Sequence, residues 1–110
     1  MNAHRGELTV MLAGRECRLR LTFEGLAEIE GRLEAGIVAV AGRFSERSVG
    51  TREVAAILSA GLQGAGEAMD EAALKAAIME LGFVEATRLA GRLLAMGLGA
   101  EAEGEVPGKP

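Results

Sequence analysis

The chain has few of the residue types from which most catalytic and metal sites are built. It contains one Cys, one His and neither Trp nor Tyr among 110 residues. A single Cys excludes an internal disulfide and a Cys-based metal cluster. Cys17 alternates with leucines, which indicates a small buried apolar side chain, and His4 stands near the start of the chain. We therefore expect no enzymatic activity, no bound metal and no cofactor.

Long apolar runs and strong basic charge are also missing. No run approaches the ~20 residues that a membrane-spanning helix needs. The first ten residues, MNAHRGELTV, lack the apolar core and the cleavage site of a signal peptide. The net charge is −4, and the basic residues form only one short run, at Arg15, Arg18 and Arg20. We expect a cytoplasmic protein that binds neither membranes nor nucleic acid.

Small residues take the place of the missing aromatic ones. The sequence has 16 Gly and only three Phe, and this glycine content is about twice the usual ~7%. A core of Leu, Ile, Val and Ala offers few large anchors, so we expect modest stability or help from self-association. The length fits one domain, which we place at residues 1–98. Residues 99–110 are acidic, rich in Gly and Pro and without periodicity, and this predicts a disordered tail.

Two stretches of alternating apolar and polar residues, 7–13 and 17–22, predict an N-terminal β-hairpin. The segment GRE at 14–16 supplies a Gly-led turn between them. A two-stranded hairpin is marginal in water by itself, so its apolar face needs a cover. That face consists of Leu8, Val10, Leu12, Cys17, Leu19 and Leu21.

Helical spacing of apolar residues predicts five short helices after the hairpin. The first follows the strand directly, with Thr22 as its N-cap and Gly36 as its C-cap. The second spans 37–44, Thr51 and Asp70 cap the third and fourth, and the fifth runs from about 84 to 96. We expect GLQGAG (61–66) to end the third helix. The expected fold class is α+β, an N-terminal hairpin packed against a small bundle of about five short α-helices. The first helix is expected to cover the strand leucines with Phe23, Leu26, Ile29 and Leu33.

Two surfaces are candidates for binding a partner. Arg18 and Arg20 share the outward face of the second strand, Arg15 lies at the turn, and Met11 adds apolar surface. Such charges can simply protect an exposed strand from aggregation, or they can dock an acidic partner or help add a strand from another chain. In the last helix the apolar residues cover more than one face, which leaves Leu94 and Leu98 for a subunit or client contact.

One stretch, RLRLTFEGLAEIEGRL (18–33), resembles a known family. With LAEIE (26–30) at its centre, it is similar to a phrase in the tail assembly chaperones of gene transfer agents and tailed phages. TREVAAILSAGLQGAG (51–66) resembles the phrase that ends that family's third helix, and the likeness covers roughly residues 5–97. The resemblance implies a non-catalytic cytoplasmic protein that binds the tape-measure protein and the tail tube protein during tail assembly.

The residue pattern leaves a second function open. A small helical adaptor or regulator could bind nucleic acid or an acidic partner through the Arg-bearing face of the hairpin, with Arg15, Arg18 and Arg20 as its contacts. Its affinity for nucleic acid would fall steeply as salt rises, because each phosphate contact releases counterions.

Overall fold

The structure, a computed structural model, describes residues 6–99; the predictions on His4 and on residues 100–110 of the tail lie outside this range. Within it, two antiparallel strands are followed by five helices, which confirms the expected α+β fold. The elements are β1 (Glu7–Leu12), β2 (Arg15–Arg20), α1 (Phe23–Leu33), α2 (Ile37–Ser45), α3 (Thr51–Gly64), α4 (Glu71–Leu81) and α5 (Phe83–Gly97).

The hairpin turns at Ala13 and Gly14, one position earlier than predicted. Both residues have positive φ, 55° and 77°, as the two-residue type I′ turn requires. This turn matches the right-handed twist of the two strands, whereas a longer turn would shift their register. Leu8 pairs with Leu19, and the apolar residues of both strands share one face.

Helix α3 is the centre of the core. Both β2 and α1 pack mainly against α3, so the expectation that α1 covers the strand leucines is wrong. Ile29 on α1 is fully buried, whereas Phe23, also expected to face the strands, is 84% exposed. Helix α3 covers β2, where Leu19 lies against Gly61, whereas α4 and α5 contact β1.

Two glycines allow α3 to approach β2 this closely. A Cβ at Gly61 would lie 2.5 Å from Leu93 Cδ2 and 3.3 Å from the Leu19 side chain. A Cβ at Gly64 would overlap the backbone carbonyl oxygen of Arg20. The expectation that 61–66 ends the third helix is confirmed, since α3 ends at Gly64. Gly61 and Gly64 belong to α3, because their missing side chains make room for the strand.

The side-chain caps predicted at the first and fourth helices are confirmed. Thr22 Oγ1 accepts a hydrogen bond from the Gly25 N–H at 3.0 Å, and Asp70 Oδ1 accepts one from the Ala73 N–H at 2.7 Å. Each bond satisfies an N–H group that the first helical turn leaves without a partner.

The caps predicted at Thr51 and Gly36 are wrong: Thr51 is one residue too late for the start of α3, and Gly36 caps the start of α2 and not the end of α1. Gly50 is the N-cap of α3, and its N–H donates to Glu53 Oε1 at 2.8 Å. The glutamate three residues into the helix thus replaces the expected hydroxyl. Gly36 begins α2 instead of ending α1, because α1 already ends at Glu34 with a left-handed φ of 54°.

Glu53 also joins α3 to α2. Its Oε2 accepts a hydrogen bond from Arg43 Nη1 at 2.7 Å, and its side chain is 14% exposed. Burial alone would raise the pKa of Glu53, but hydrogen bonds from the backbone N–H groups of Gly50 and of Glu53 itself, and from Arg43, outweigh it. The pKa of Glu53 therefore lies below its ordinary value of 4.5.

We expect this carboxylate to make folding stability depend on acid pH. Because the folded pKa is lowered, its contribution is fully present above the unfolded value of 4.5 and is lost as the pH falls through the folded pKa. The test is urea unfolding measured from neutral pH down to below pH 4.5. The Glu53→Gln variant should be less stable than wild type at neutral pH, and its free energy of unfolding should fall less on acidification. Glu80→Gln, on the exposed side of α4, is the control. An E53Q variant with the wild-type pH profile would contradict this account.

Candidate partner-binding site

The outward face of the hairpin carries the charged and apolar residues that the sequence singled out. Arg18 and Arg20 lie on this face together with Met11, which is 59% exposed. Arg15 is exposed as the first residue of β2 after the turn, but it pairs with Leu12 and so belongs by register to the opposite, apolar face, at the end of the hairpin. The structure thus brings three of the six candidate residues to the outward face.

One of these arginines is already paired within the chain. Arg18 Nε donates to Glu67 Oε2 at 2.8 Å, and the Arg18 backbone N–H donates to the same oxygen at 3.2 Å. The hydrogen bond with Arg18 lowers the pKa of Glu67, and the same contact raises the pKa of Arg18. Because the Arg18 N–H at the outer edge of β2 already donates to Glu67, it is not available to pair with an added strand. Arg20 remains as the more available cation of the outward face, and Arg15 is exposed at the end of the hairpin.

The two candidate residues at the last helix, Leu94 and Leu98, differ in how deeply they are buried. Leu94 is 2% exposed, so the expectation that it is left over for an external contact is wrong. Helix α5 packs against α2, α3, α4 and both strands, and this wide contact buries more than one of its faces. Leu98 follows the end of α5 and is partly buried against the core.

A groove that the sequence did not indicate lies where α1, α3, α4 and the start of α5 meet. Its volume is about 580 Å³. Apolar and polar side chains both line it, and the polar ones are exposed, an arrangement typical of protein–protein contacts. The apolar lining residues are Leu33, Ala55, Ala56, Ile78, Met79 and Phe83; the exposed polar ones, which we call the rim, are Arg32, Thr51, Arg52, Glu71 and Lys75. We call these eleven residues the α3–α4 groove.

Two further features extend this surface. A smaller adjoining pocket of about 50 Å³ continues from the groove to Met69 and Leu74. Near its other end, Met79 is 73% exposed and Val84 is 72% exposed. The sequence could not indicate the groove, because its lining comes from four separate elements.

Metal sites and membrane-spanning helices were two further features to look for in the described residues. Within 6–99, no group of three or more His, Cys, Asp and Glu side chains is arranged to hold a metal ion. Among the helices of the same segment, none is long and apolar enough to cross a membrane. Cys17 is buried, as its alternation with leucines predicted. The fold and its surfaces are those of a small helical protein with a hairpin and an open apolar groove.

The chain belongs to a family of phage and gene transfer agent tail proteins. The family model described as "phage tail tube protein, GTA-gp10" matches residues 5–100. This match confirms the resemblance at the level of the tail family, and the protein has a tail-related role. The name of this family refers to a tube protein and not to a chaperone. No curated protein and no solved structure gives a significant match.

Proposed function

We propose that the protein is a non-catalytic tail assembly chaperone, which binds the tape-measure protein and the tail tube protein in the cytoplasm while the tail is built. The observation that supports this proposal is that large apolar side chains are exposed to solvent beside an open groove. Met79 lines the groove and is 73% exposed, and Val84, which follows the groove residue Phe83 in the chain, is 72% exposed. Exposed apolar side chains that adjoin an apolar groove are typical of sites of interaction with other chains.

The second candidate is a structural subunit of the tail tube, which the family description favours. Subunits of a permanent assembly bury large apolar interfaces, of roughly 2,000 Å² or more, against identical neighbours. Within residues 6–99 the sheet has two strands, and Glu67 partly covers the outer edge of β2. The outer edge of β2 therefore does not favour assembly of a tube wall by pairing of strands between subunits. Exposed side chains around an open groove suit a reversible contact better.

Co-expression with the tape-measure protein of the same particle tests the proposal. We expect the tape-measure protein to be insoluble when expressed alone, and to become soluble and co-purify when this protein is present. The double variant Met79→Ser/Val84→Ser should co-purify less tape-measure protein, because it replaces an exposed apolar side chain of the groove and the exposed apolar side chain that follows Phe83. Met11→Ser, on the hairpin, is the matched control for a single exposed methionine.

Two results would decide against the chaperone. Failure of the tape-measure protein to co-purify at low salt would contradict it directly. Quantitative mass spectrometry of purified tails provides the other test, since a chaperone is expected to be absent from them or present in traces. A copy number equal to that of the tube protein would favour the structural subunit.

A further inference from the structure

The rim of the α3–α4 groove is positively charged in a protein that is negative as a whole. Arg32, Arg52 and Lys75 stand there against one carboxylate, Glu71, whereas the net charge of the chain is −4. Lys75 Nζ and Glu71 Oε2 are 3.5 Å apart and both side chains are 65% exposed, so this pair is weak. The local excess of cations favours an occupant that brings carboxylates.

Hydrogen bonding fixes part of this charge in place. Arg52 Nη2 donates to the backbone carbonyl oxygen of Arg32 at 3.0 Å. This bond holds the Arg52 guanidinium beside the end of α1 and leaves its other N–H groups available. An occupant carboxylate at the rim therefore meets a cation that is already oriented, which lowers the entropic cost of the contact.

The shape of the groove suits a helix. The α4 residues that line it, from Glu71 to Met79, recur at helical spacing over a length of about 12 Å. This length accommodates two to three turns of a second helix laid alongside. The groove is bounded by helices, so its lining offers no strand edge with which an extended peptide could pair. A helix satisfies its own backbone hydrogen bonds and can bury an apolar stripe in such a groove.

We propose that the α3–α4 groove binds an amphipathic helix of a partner protein, with the apolar stripe of that helix on Ile78, Met79 and Phe83 and with acidic residues flanking the stripe. The carboxylates then lie against Arg32, Arg52 and Lys75. This inference rests on the proposed function, because it names the class of segment that a client presents. Met79 suits the role, since the flexible thioether side chain adapts to different apolar partners.

Two synthetic peptides test the groove with the full chain. Both are helical peptides of about three to four turns with the same apolar stripe; one carries Glu at the flanking positions and the other carries Lys. In a fluorescence anisotropy titration we expect the Glu peptide to bind at least about tenfold more tightly, and to weaken as salt rises. Arg52→Glu/Lys75→Glu should reverse the preference. Arg15→Glu/Arg20→Glu, on the hairpin, should leave it unchanged.

Several results would overturn the proposal. Equal binding of the two peptides, or no binding of either, removes the acidic helix as occupant. Loss of binding in the hairpin variant places the site elsewhere. A peptide of residues 100–110 that binds as tightly as the Glu peptide would make the chain's own acidic tail the occupant. A dimer in sedimentation that R52E/K75E abolishes would make the occupant a second copy of the chain.

Co-expression separates this inference from the function on which it rests. The tape-measure protein could co-purify equally well with wild type and with R52E/K75E. The client would then be bound elsewhere, which contradicts the groove proposal but supports the chaperone function. If the tape-measure protein does not co-purify but the peptides bind as expected, the groove is supported as a binding site for acidic helices and the chaperone function is contradicted.

Discussion

Replacing Gly64 with Ala is expected to destabilise the protein by roughly 3–5 kcal/mol, which is near the upper limit for single substitutions. The new methyl group would overlap the carbonyl oxygen of Arg20. That oxygen is part of the backbone of β2 and cannot move aside as a flexible side chain can, so α3 and the hairpin must separate. Since small domains have about 5–15 kcal/mol of total stability, thermal unfolding should show a large drop in Tm.

Gly31→Ala provides the matched control for this experiment. Gly31 is an exposed residue of α1, and a Cβ there meets nothing within 4 Å. The substitution should therefore stabilise the protein by about 0.5–1 kcal/mol, because Ala loses less backbone entropy than Gly in a helix. A G64A variant that melts like G31A would show that α3 and β2 are not in close contact.

The second large effect is expected at Leu94. Leu94→Ala should cost about 2–5 kcal/mol, the range for removing a leucine side chain from a packed core. Leu98→Ala should cost clearly less, because Leu98 is only partly buried at the end of α5. Urea unfolding of the two variants measures the difference. If L94A unfolded like wild type but bound the tape-measure protein more weakly, Leu94 would be the contact residue that the sequence suggested.

Features that depend on neighbours in the chain could be predicted from the sequence. The strand leucines alternate over a few residues, and Thr22 and Asp70 are short polar side chains placed just before apolar helical repeats. Each of these signals acts through the backbone of the same segment. The hairpin, the five helices and two of the caps therefore follow from local pattern, with errors of one or two residues at their ends.

The packing of these elements did not follow from local pattern. Helix α1 comes directly after the hairpin, and sequence proximity suggested that it covers the strand leucines. In the structure α3 packs on β2 instead. Gly61 and Gly64 allow this close packing, because they have no side chains that would clash with β2. In the sequence the same glycines resemble a helix terminator.

The candidate site shows the same limit. The hairpin face was predictable, because Arg18 and Arg20 alternate along one strand. That Glu67 pairs with Arg18 was not, since 49 residues separate them. The α3–α4 groove was not predictable either, because its polar rim residues are, each within its own helix, ordinary solvent-exposed side chains.

The sequence by itself determined the identity and order of the secondary structure elements, the absence of a His or Cys cluster, and the membership of a tail protein family. Only the tertiary structure decided which helix covers the hairpin, that Leu94 belongs to the core, and where an open apolar groove with a cationic rim remains. The physical reason is that helix and strand formation is governed by interactions between residues close in the chain. Burial and surface shape depend on how closely distant segments pack, and here the space left by glycine and alanine side chains on α3 sets those distances.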